Sequence, residues 1–432
     1  MPHSKDRVKG RNNVWFSNDL SDLLERNQAW AQARKSKLEY DWLKFRRLRN
    51  LCTVKIRNAK SAYFLSETSK NLNNPLKFWK MIKLLTEAKT DTEVPSCIVV
   101  DDKKIIDKNE ILNSFNNHFI AAGSLYETLH NSVSGSPTAC PVDHLLSAQL
   151  FNFKTVTVPE VRKALKDLDP KKSSGPDKLE PYFLKIAADL IATPVTYLIN
   201  LSLATNQVPA IWKSANVLSL HKGGDPANIN NYRPISKLSV LTKLMESVIS
   251  MQLKDYLINN NILNEFQSGF RKQHSTITAV SKVVNDLVKI LDNKQGCAAL
   301  FIDLSKAFDT VDHKILLQRL TLIGLSEHAV GWFNSYLTGR TQRLQVDGLA
   351  SASLNILKGV PQGSILGPLL FNIYINNLCN NINNTNYHFY ADDTVLYCSG
   401  STLGQAITNL QSAFYILQHN LATLKLVLNS KN

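Results

Sequence analysis

The chain has 432 residues, which is long enough for about three folding units of ordinary size. Its composition, 44% hydrophobic and 20% charged, excludes a chain that is disordered from end to end. Lys and Arg number 50 against 35 Asp and Glu, so the formal net charge is +15. A surplus of this size suits a polyanionic partner, such as nucleic acid or an anionic membrane surface.

The basic surplus is concentrated in residues 1–90, which hold 20 basic and 8 acidic side chains. Between Leu38 and Tyr63, apolar residues recur at spacings of three and four, which predicts one apolar stripe along a helix. A basic run is usually a solvated face, but this surplus extends over the whole segment. We therefore predict a mainly helical region that contacts nucleic acid phosphates. Its candidate contacts are Arg46, Arg47 and Arg49.

Cysteine spacing and hydropathy bear on the compartment. The six cysteines lie far apart without a CxxC pair, which argues against a disulfide framework or a zinc knuckle. This usage fits a reducing intracellular compartment, nucleus or cytoplasm. The first residues are charged where a signal peptide would be apolar, and the most apolar stretch, residues 186–204, contains Asp189, Pro194 and Asn200. We expect a buried helix there, with no signal peptide, transmembrane segment or membrane partner.

Along the rest of the chain, a second helix is predicted around residues 109–122, and residues 131–144 read as a Ser-, Pro- and Gly-rich linker. From about Thr155 onward, helical periods alternate with short β-rich runs, as in an α/β or α+β domain. The strands with the clearest limits are predicted at residues 217–220, 298–304 and 387–397.

An apolar run over residues 297–302 ends on Asp303. Such a run predicts a strand covered on both faces, with Asp303 at the point where the strand emerges. Taken alone, an Asp in this place is more often a turn residue or a helix N-cap. Asp309 or Asp312 is a candidate cap for a helix that begins near Val311.

Residues 387–397 place aromatic and β-branched residues on either side of Asp392 and Asp393, which predicts a β-hairpin with the acids at its turn. Asp is an ordinary turn residue, but two adjacent carboxylates repel unless a cation offsets their charge. Mg²⁺ binds through such carboxylates together with substrate phosphates. With Asp303 on a neighbouring strand, the three acids could hold two ions ~4 Å apart, as nucleotidyl transfer requires.

A glycine loop at residues 359–364 lies between the two acidic elements. Gly359 and Gly363 permit close backbone approach, and Ser364 is placed to cap the following helix. A turn and a cap do not explain Gln362, which stands between a proline and a glycine.

Two basic segments complete the pattern. A strand that ends at Lys222 and a loop that returns at Arg233 would present a point charge and a two-pronged donor to one triphosphate. The segment 264–276 is a basic and aromatic cluster, including Arg271, fit for a nucleic acid backbone.

Six motifs occur in a distinctive order: SSGPD at 173–177, NYRPIS at 231–236, QSGFR at 267–271, FIDLSKAFD at 301–309, GVPQGS at 359–364 and YADD at 390–393. Together they resemble the reverse transcriptase core of non-LTR (LINE-type) retrotransposons over roughly residues 155–432. Residues 1–150 are similar, more loosely, to the segment that precedes this core.

The resemblance implies an α+β fold of the right-hand polymerase type. Fingers would occupy residues 155–290 and the palm residues 291–432, after the basic helical region 1–90 and a helical segment with a linker at 91–154. The implied activity is RNA-directed DNA synthesis, with an RNA template, a DNA primer and dNTP as partners.

The resemblance also implies roles for individual residues. Asp303, Asp392 and Asp393 would be catalytic ligands of two Mg²⁺ ions, with Mn²⁺ as a substitute. Lys222 and Arg233 would contact the triphosphate, and Gln362 and Gly363 would lie beside the nucleotide. The ring of Phe308 would exclude a 2′-hydroxyl group.

Some features depart from the family. Lys178 stands where the family often has glycine, the palm is expected to be truncated after the YADD hairpin with the thumb missing, and an endonuclease is expected from a missing upstream domain. Two alternatives stay open: a catalytically silent RNA-binding fragment of the same element, and an RNA-templated RNA polymerase, which Phe308 disfavours.

Overall fold

A computed structural model describes residues 22–70, 94–100, 102–130 and 150–429 of the chain. The predicted linker at 131–144, with Cys140, lies outside these residues. The five cysteines within them are all free. Two compact units are present, Met1–Asp91 and Thr92–Asn432.

The first unit contains two helices that pack on each other, α1 (Asp22–Ser36) and α2 (Glu39–Lys70). Their contact includes small side chains, since Ala33 and Cys52 are buried. The predicted helix is confirmed by α2. Its side chains at the predicted basic positions are exposed, namely Arg46, Arg47 and Arg49.

The second unit mixes helix and sheet, which agrees with the α+β class predicted. Its strands are β1 (Ile98–Val100), β2 (Lys103–Ile105), β3 (Ser214–His221), β4 (Tyr232–Lys237), β5 (Gly296–Ile302), β6 (Arg340–Val346), β7 (Leu349–Ala350), β8 (Leu354–Ile356), β9 (Asn386–Tyr390) and β10 (Asp393–Gly400). Its helices are α3 (Lys108–Ala121), α4 (Leu125–His130), α5 (Val158–Lys166), α6 (Pro181–Ile186), α7 (Ala188–Thr205), α8 (Val240–Asn259), α9 (Thr276–Asp292), α10 (His313–Leu322), α11 (Glu327–Leu337), α12 (Leu366–Ile375) and α13 (Leu403–Thr423). Short 3-10 turns lie at Ala122–Ser124, Ala210–Lys213 and Ile229–Asn231.

A five-stranded sheet has the order β4-β3-β6-β7, with β8 paired to β6. Strands β3 and β4 form an antiparallel pair, whereas β3 and β6 run parallel. Helix α3 covers this sheet, and the ring of Phe115 meets that of Tyr232 at 4.8 Å between centroids. The β1–β2 hairpin stands beside it as a separate two-stranded sheet.

A three-stranded antiparallel sheet has the order β5-β10-β9, and α13 packs against it. The largest core of the unit joins this sheet to the helices that surround it. The prediction that the strand before Asp303 is covered on both faces is wrong, because Phe301 is 79% exposed. The physical reason is the type of sheet: β5 pairs antiparallel with β10, and an antiparallel sheet can leave one of its two faces to solvent.

Most predicted local elements are found at shifted boundaries. The stretch 186–204 is mainly α7, a helix that contains Pro194. The prediction that this helix is buried is correct for one face only, since Leu190 is 83% exposed. The helix predicted near Val311 is α10. Asp312, not Asp309, caps α10, because its side chain accepts from the backbone N–H groups of Lys314 and Ile315. Lys178 has φ of 58°, so a lysine adopts the left-handed conformation that glycine favours.

No helix within the described ranges combines the length and the hydropathy of a membrane span.

Candidate active site

The three predicted acids lie at one end of the three-stranded sheet. Ile302, the last residue of β5, pairs with Thr394 of β10, so one further step of the register sets Asp303 opposite Asp393. Cβ atoms of directly opposed residues in antiparallel strands lie about 4.5–5.5 Å apart. Asp392 belongs to the two-residue turn between β9 and β10, because Tyr390 pairs with Asp393. We call Asp303, Asp392 and Asp393 the carboxylate corner.

Electrostatics links these acids. Burial raises the pKa of Asp392, and the negative charges of Asp393 and Asp303 raise it further. The pKa of Asp393 is also raised, first by burial and then by Asp303. The positive charge of Arg233 opposes both shifts. The charges of Asp303 and Asp393 therefore destabilise ionised Asp392, and the charge of Asp303 also destabilises ionised Asp393. A cation would relieve this repulsion.

The donor chemistry of the carboxylate corner fits Mg²⁺, which takes hard oxygen ligands. Among the described residues, however, no group of three or more His, Cys, Asp or Glu side chains is arranged as a metal site. Asn429 Nδ2 donates to one oxygen of Asp303 at 2.7 Å.

The acidic turn is braced by the segment 267–269. The Gln267 side chain accepts from Ala391 N–H at 3.0 Å and donates to Ala391 O at 3.3 Å. A Cβ on Gly269 would stand 2.1 Å from the Ala391 nitrogen, so only glycine fits. Ala391 itself has φ of 59°. The basic and aromatic pattern of this segment predicts nucleic acid contact, and it does not predict that the segment braces the turn.

The predicted cations lie together at the end of the β3–β4 hairpin. Leu220 pairs with Arg233, and the Lys222 N–H donates to Asn231 O at 2.8 Å. Burial and then the charge of Arg233 lower the pKa of Lys222, whereas the carboxylates of Asp309 and Asp303 raise it. Both cationic side chains are exposed, and the charge of Arg233 acts on Asp392 and Asp393.

The glycine loop, residues 359–364, is pinned on two sides. Ser236 N–H of β4 donates to Gln362 O at 2.7 Å. Gly363 has φ of 115°, and a Cβ there would meet Ser236 O at 2.7 Å. Gly359 approaches Asp309 just as closely. The loop thus joins the five-stranded sheet to the turn that follows Asp303.

The capping role predicted for Ser364 is confirmed, since its Oγ accepts from Gly367 N–H at 2.9 Å. The start of α12 is also held by Glu246, a fully buried acid that the sequence analysis did not single out. Its carboxylate accepts from Ile365 N–H at 2.6 Å and from the hydroxyl of Tyr336 at 2.7 Å. Glu246 lies among the apolar residues of α8, and nothing in the neighbouring sequence indicates that it bonds to the start of another helix.

Two other predicted residues face protein neighbours. The ring of Phe308 stacks on Phe371, with centroids 4.4 Å apart, and meets Phe270 edge-on at 6.0 Å. Arg271 Nη1 donates to Asn264 O at 2.7 Å and to Gln267 O at 3.2 Å. In this conformation, that nitrogen of Arg271 stabilises its own loop.

Comparison with known proteins agrees with the motif resemblance. Residues 220–431 match the family described as reverse transcriptase (RNA-dependent DNA polymerase). The chain is 35% identical over 277 residues to the probable RNA-directed DNA polymerase from transposon BS of Drosophila melanogaster, covering 60% of this chain and 29% of that protein. It is 31% identical to the RNA-directed DNA polymerase from mobile element jockey of the same species, again over 60% of this chain and 29% of the relative.

A more distant likeness extends further along the chain. The transposon TX1 uncharacterized 149 kDa protein of Xenopus laevis is 24% identical, over 85% of this chain and 28% of its own length. The chain therefore spans less than a third of the length of these relatives. The resemblance to non-LTR retrotransposon enzymes is confirmed, and residues 220–431 of this chain are a domain of the reverse transcriptase family.

Proposed function

We propose that this chain catalyses RNA-directed DNA synthesis, in which a DNA primer on an RNA template is extended with dNTPs. The observation that carries the proposal is the pairing of Ile302 with Thr394, within a reverse transcriptase domain, because it brings Asp303 beside the Asp392–Asp393 turn. Residues 155–290 would serve as fingers and residues 291–432 as palm.

The residues around the carboxylate corner would bind the incoming nucleotide. Lys222 and Arg233 would bind the triphosphate, since both are exposed and lie within electrostatic range of the carboxylate corner. Gln362 and Gly363 would line the nucleotide site on the side of the glycine loop. Phe308, fixed by its stacking on Phe371, would restrict the space near the sugar 2′ position.

The carboxylate corner would hold two Mg²⁺ ions, or Mn²⁺ in their place. When bound, these ions would supply charge neutralisation at the phosphates and a lower pKa for the primer hydroxyl. The repulsion that Asp303 exerts on Asp392 and Asp393 supports this assignment.

Nucleic acid binding would also involve the basic helical region. Arg46, Arg47 and Arg49 are exposed on α2 and would contact phosphates, and Arg271 would assist from the segment that braces the acidic turn. An endonuclease activity, which target insertion requires, would come from a separate domain.

The test is extension of a DNA primer annealed to an RNA template, with dNTPs and Mg²⁺ or Mn²⁺. We expect incorporation by the wild type and its loss in Asp392→Asn. Asp255→Asn, the same chemical change on an exposed turn of α8, should leave the rate unchanged. Equal rates in the wild type and Asp392→Asn would contradict the proposal. RNA binding without incorporation by any variant would instead favour the catalytically silent fragment.

A further inference from the structure

The amide of Gln362 is held by a carboxylate that neither the motif roles nor the cap predictions explain. Gln362 Nε2 lies 2.8 Å from both carboxylate oxygens of Asp309. Since an ionised carboxylate only accepts hydrogen bonds, the donor end of the amide faces Asp309. The carbonyl Oε1 then faces away, and no donor in the described part of the chain is bonded to it.

Asp309 is placed to hold this orientation firmly. Its backbone N–H donates to Lys306 O at 2.9 Å, and its own backbone is in close contact with Gly359. The positive charges that face its carboxylate are those of Lys306, on the same turn, and Lys222, on the β3–β4 hairpin. His118 of α3 lies 3.2 Å from Lys306 Nζ and has its pKa lowered to about 4 by burial, so it adds no charge at neutral pH.

The sequence neighbour of Asp309 is Phe308, the residue placed against the sugar in the proposed function. The glycine loop is bonded to this residue, since Val360 N–H donates to Phe308 O at 2.9 Å. Gln362 follows Val360 by two positions, so in the proposed function it lies beside the sugar of a bound nucleotide. A carbonyl oxygen directed there can accept a hydrogen bond from a hydroxyl group, whereas an amide N–H₂ cannot.

We propose that Asp309 is a positioning residue, which fixes the Gln362 amide with its carbonyl oxygen toward the incoming nucleotide so that it accepts a hydrogen bond from the sugar hydroxyl. The consequence for substrate choice rests on the proposed polymerase function. The orientation of the amide does not.

The orientation can be tested without activity, by NMR of the protein labelled with ¹⁵N-glutamine. The Gln362 side-chain resonances are identified by their loss in Gln362→Ala. Because burial raises the pKa of Asp309 to about 6, we expect these resonances to titrate near pH 6 in the wild type and not in Asp309→Asn. In the control Asp312→Asn, whose carboxylate caps α10 instead, the titration should persist. Resonances that titrate equally in Asp309→Asn would overturn the assignment.

The second readout is single-nucleotide extension with dNTP and with the 2′,3′-dideoxy analogue. We expect Asp309→Asn to lower kcat/KM for dNTP on the order of tenfold, the loss of one oriented hydrogen bond, and to leave that for the analogue nearly unchanged. An equal loss for both substrates would indicate a merely structural role and would contradict the proposal. If the wild type extends no primer, the polymerase function fails, while the NMR result still decides the orientation.

Discussion

The acids and the cations of this site are held in different ways. The acidic turn is fixed by buried backbone contacts, with Gly269 packed against Ala391 and Gln267 bonded on both sides of it. Lys222 and Arg233 stand exposed at the end of a hairpin whose main chain alone is fixed. Metal ligands must meet at defined points, whereas a flexible cation only has to reach a phosphate. The site therefore has a rigid side, the acidic turn with Asp392 and Asp393, and an adaptable side, formed by Lys222 and Arg233.

The strongest test of the rigid side is Gly269→Ala. The added methyl group would overlap the Ala391 nitrogen, so the acidic turn must move. We expect destabilisation of about 3 kcal/mol or more in urea unfolding. Primer extension should fall at least about 100-fold, as misplaced catalytic groups do. Gly404→Ala is the control, because its new Cβ would meet only Thr402 Oγ1 at 3.8 Å. Near-normal extension by Gly269→Ala would show that the turn tolerates movement.

The next effect concerns the buried acid beside the glycine loop. In the folded protein, burial raises the pKa of Asp309 from 3.8 to about 6. Between pH 3.8 and about pH 6 the folded protein therefore binds a proton that the unfolded chain has lost. The contribution of Asp309 to stability is therefore full below pH 3.8 and is lost as pH rises through about 6. The loss amounts to about 3 kcal/mol.

The free energy of unfolding, measured across this pH range, should fall more steeply with rising pH in the wild type than in Asp309→Asn. Asp392 and Asp393, whose pKa values are also raised, contribute to the slope in both proteins, so the difference isolates Asp309. Identical slopes would mean that folding leaves the pKa of Asp309 unchanged.

A smaller effect is expected on the adaptable side. Lys222→Gln or Arg233→Gln should raise KM for dNTP about tenfold, the loss of one charge-assisted contact. The thermal midpoint should hardly change, because both side chains are exposed. Lys254→Gln, an exposed change on α8, serves as the control. A large drop in stability with unchanged KM would assign these cations a structural role instead.

The smallest effect on catalysis is expected from the first unit. Replacement of Arg46, Arg47 and Arg49 together by Gln should weaken RNA binding. The slope of the logarithm of the binding constant against the logarithm of the salt concentration should become shallower by about 2. Fluorescence anisotropy at several salt concentrations measures both quantities. A charge-matched control replaces three exposed residues of the second unit, Lys103, Lys104 and Lys108. If the control reduces the slope equally, the effect is one of net charge rather than of α2.

Local patterns were sufficient to predict the β9–β10 hairpin, the strand β3 and the helix α10, because alternation and helical periodicity are properties of neighbouring residues. They did not predict that Gln267 would hold Ala391, or that Gln362 would hold Asp309. These contacts join segments 124 and 53 residues apart, and nothing in either segment alone specifies its partner. The error at Phe301 has a related cause, since an apolar run looks the same whether one or both faces of its strand are covered.

The parallel pairing of β3 with β6 has a consequence for how the chain folds. Ser214 pairs with Thr341, and Asn116 of α3 hydrogen-bonds to Gln342, so the five-stranded sheet closes over very long stretches of chain. Contacts of such high sequence separation form slowly, because a large loop must be ordered before they are made. On the ribosome, the hairpin that carries Lys222 and Arg233 has to wait for β6 to emerge, and until then its open edge is exposed to misassembly.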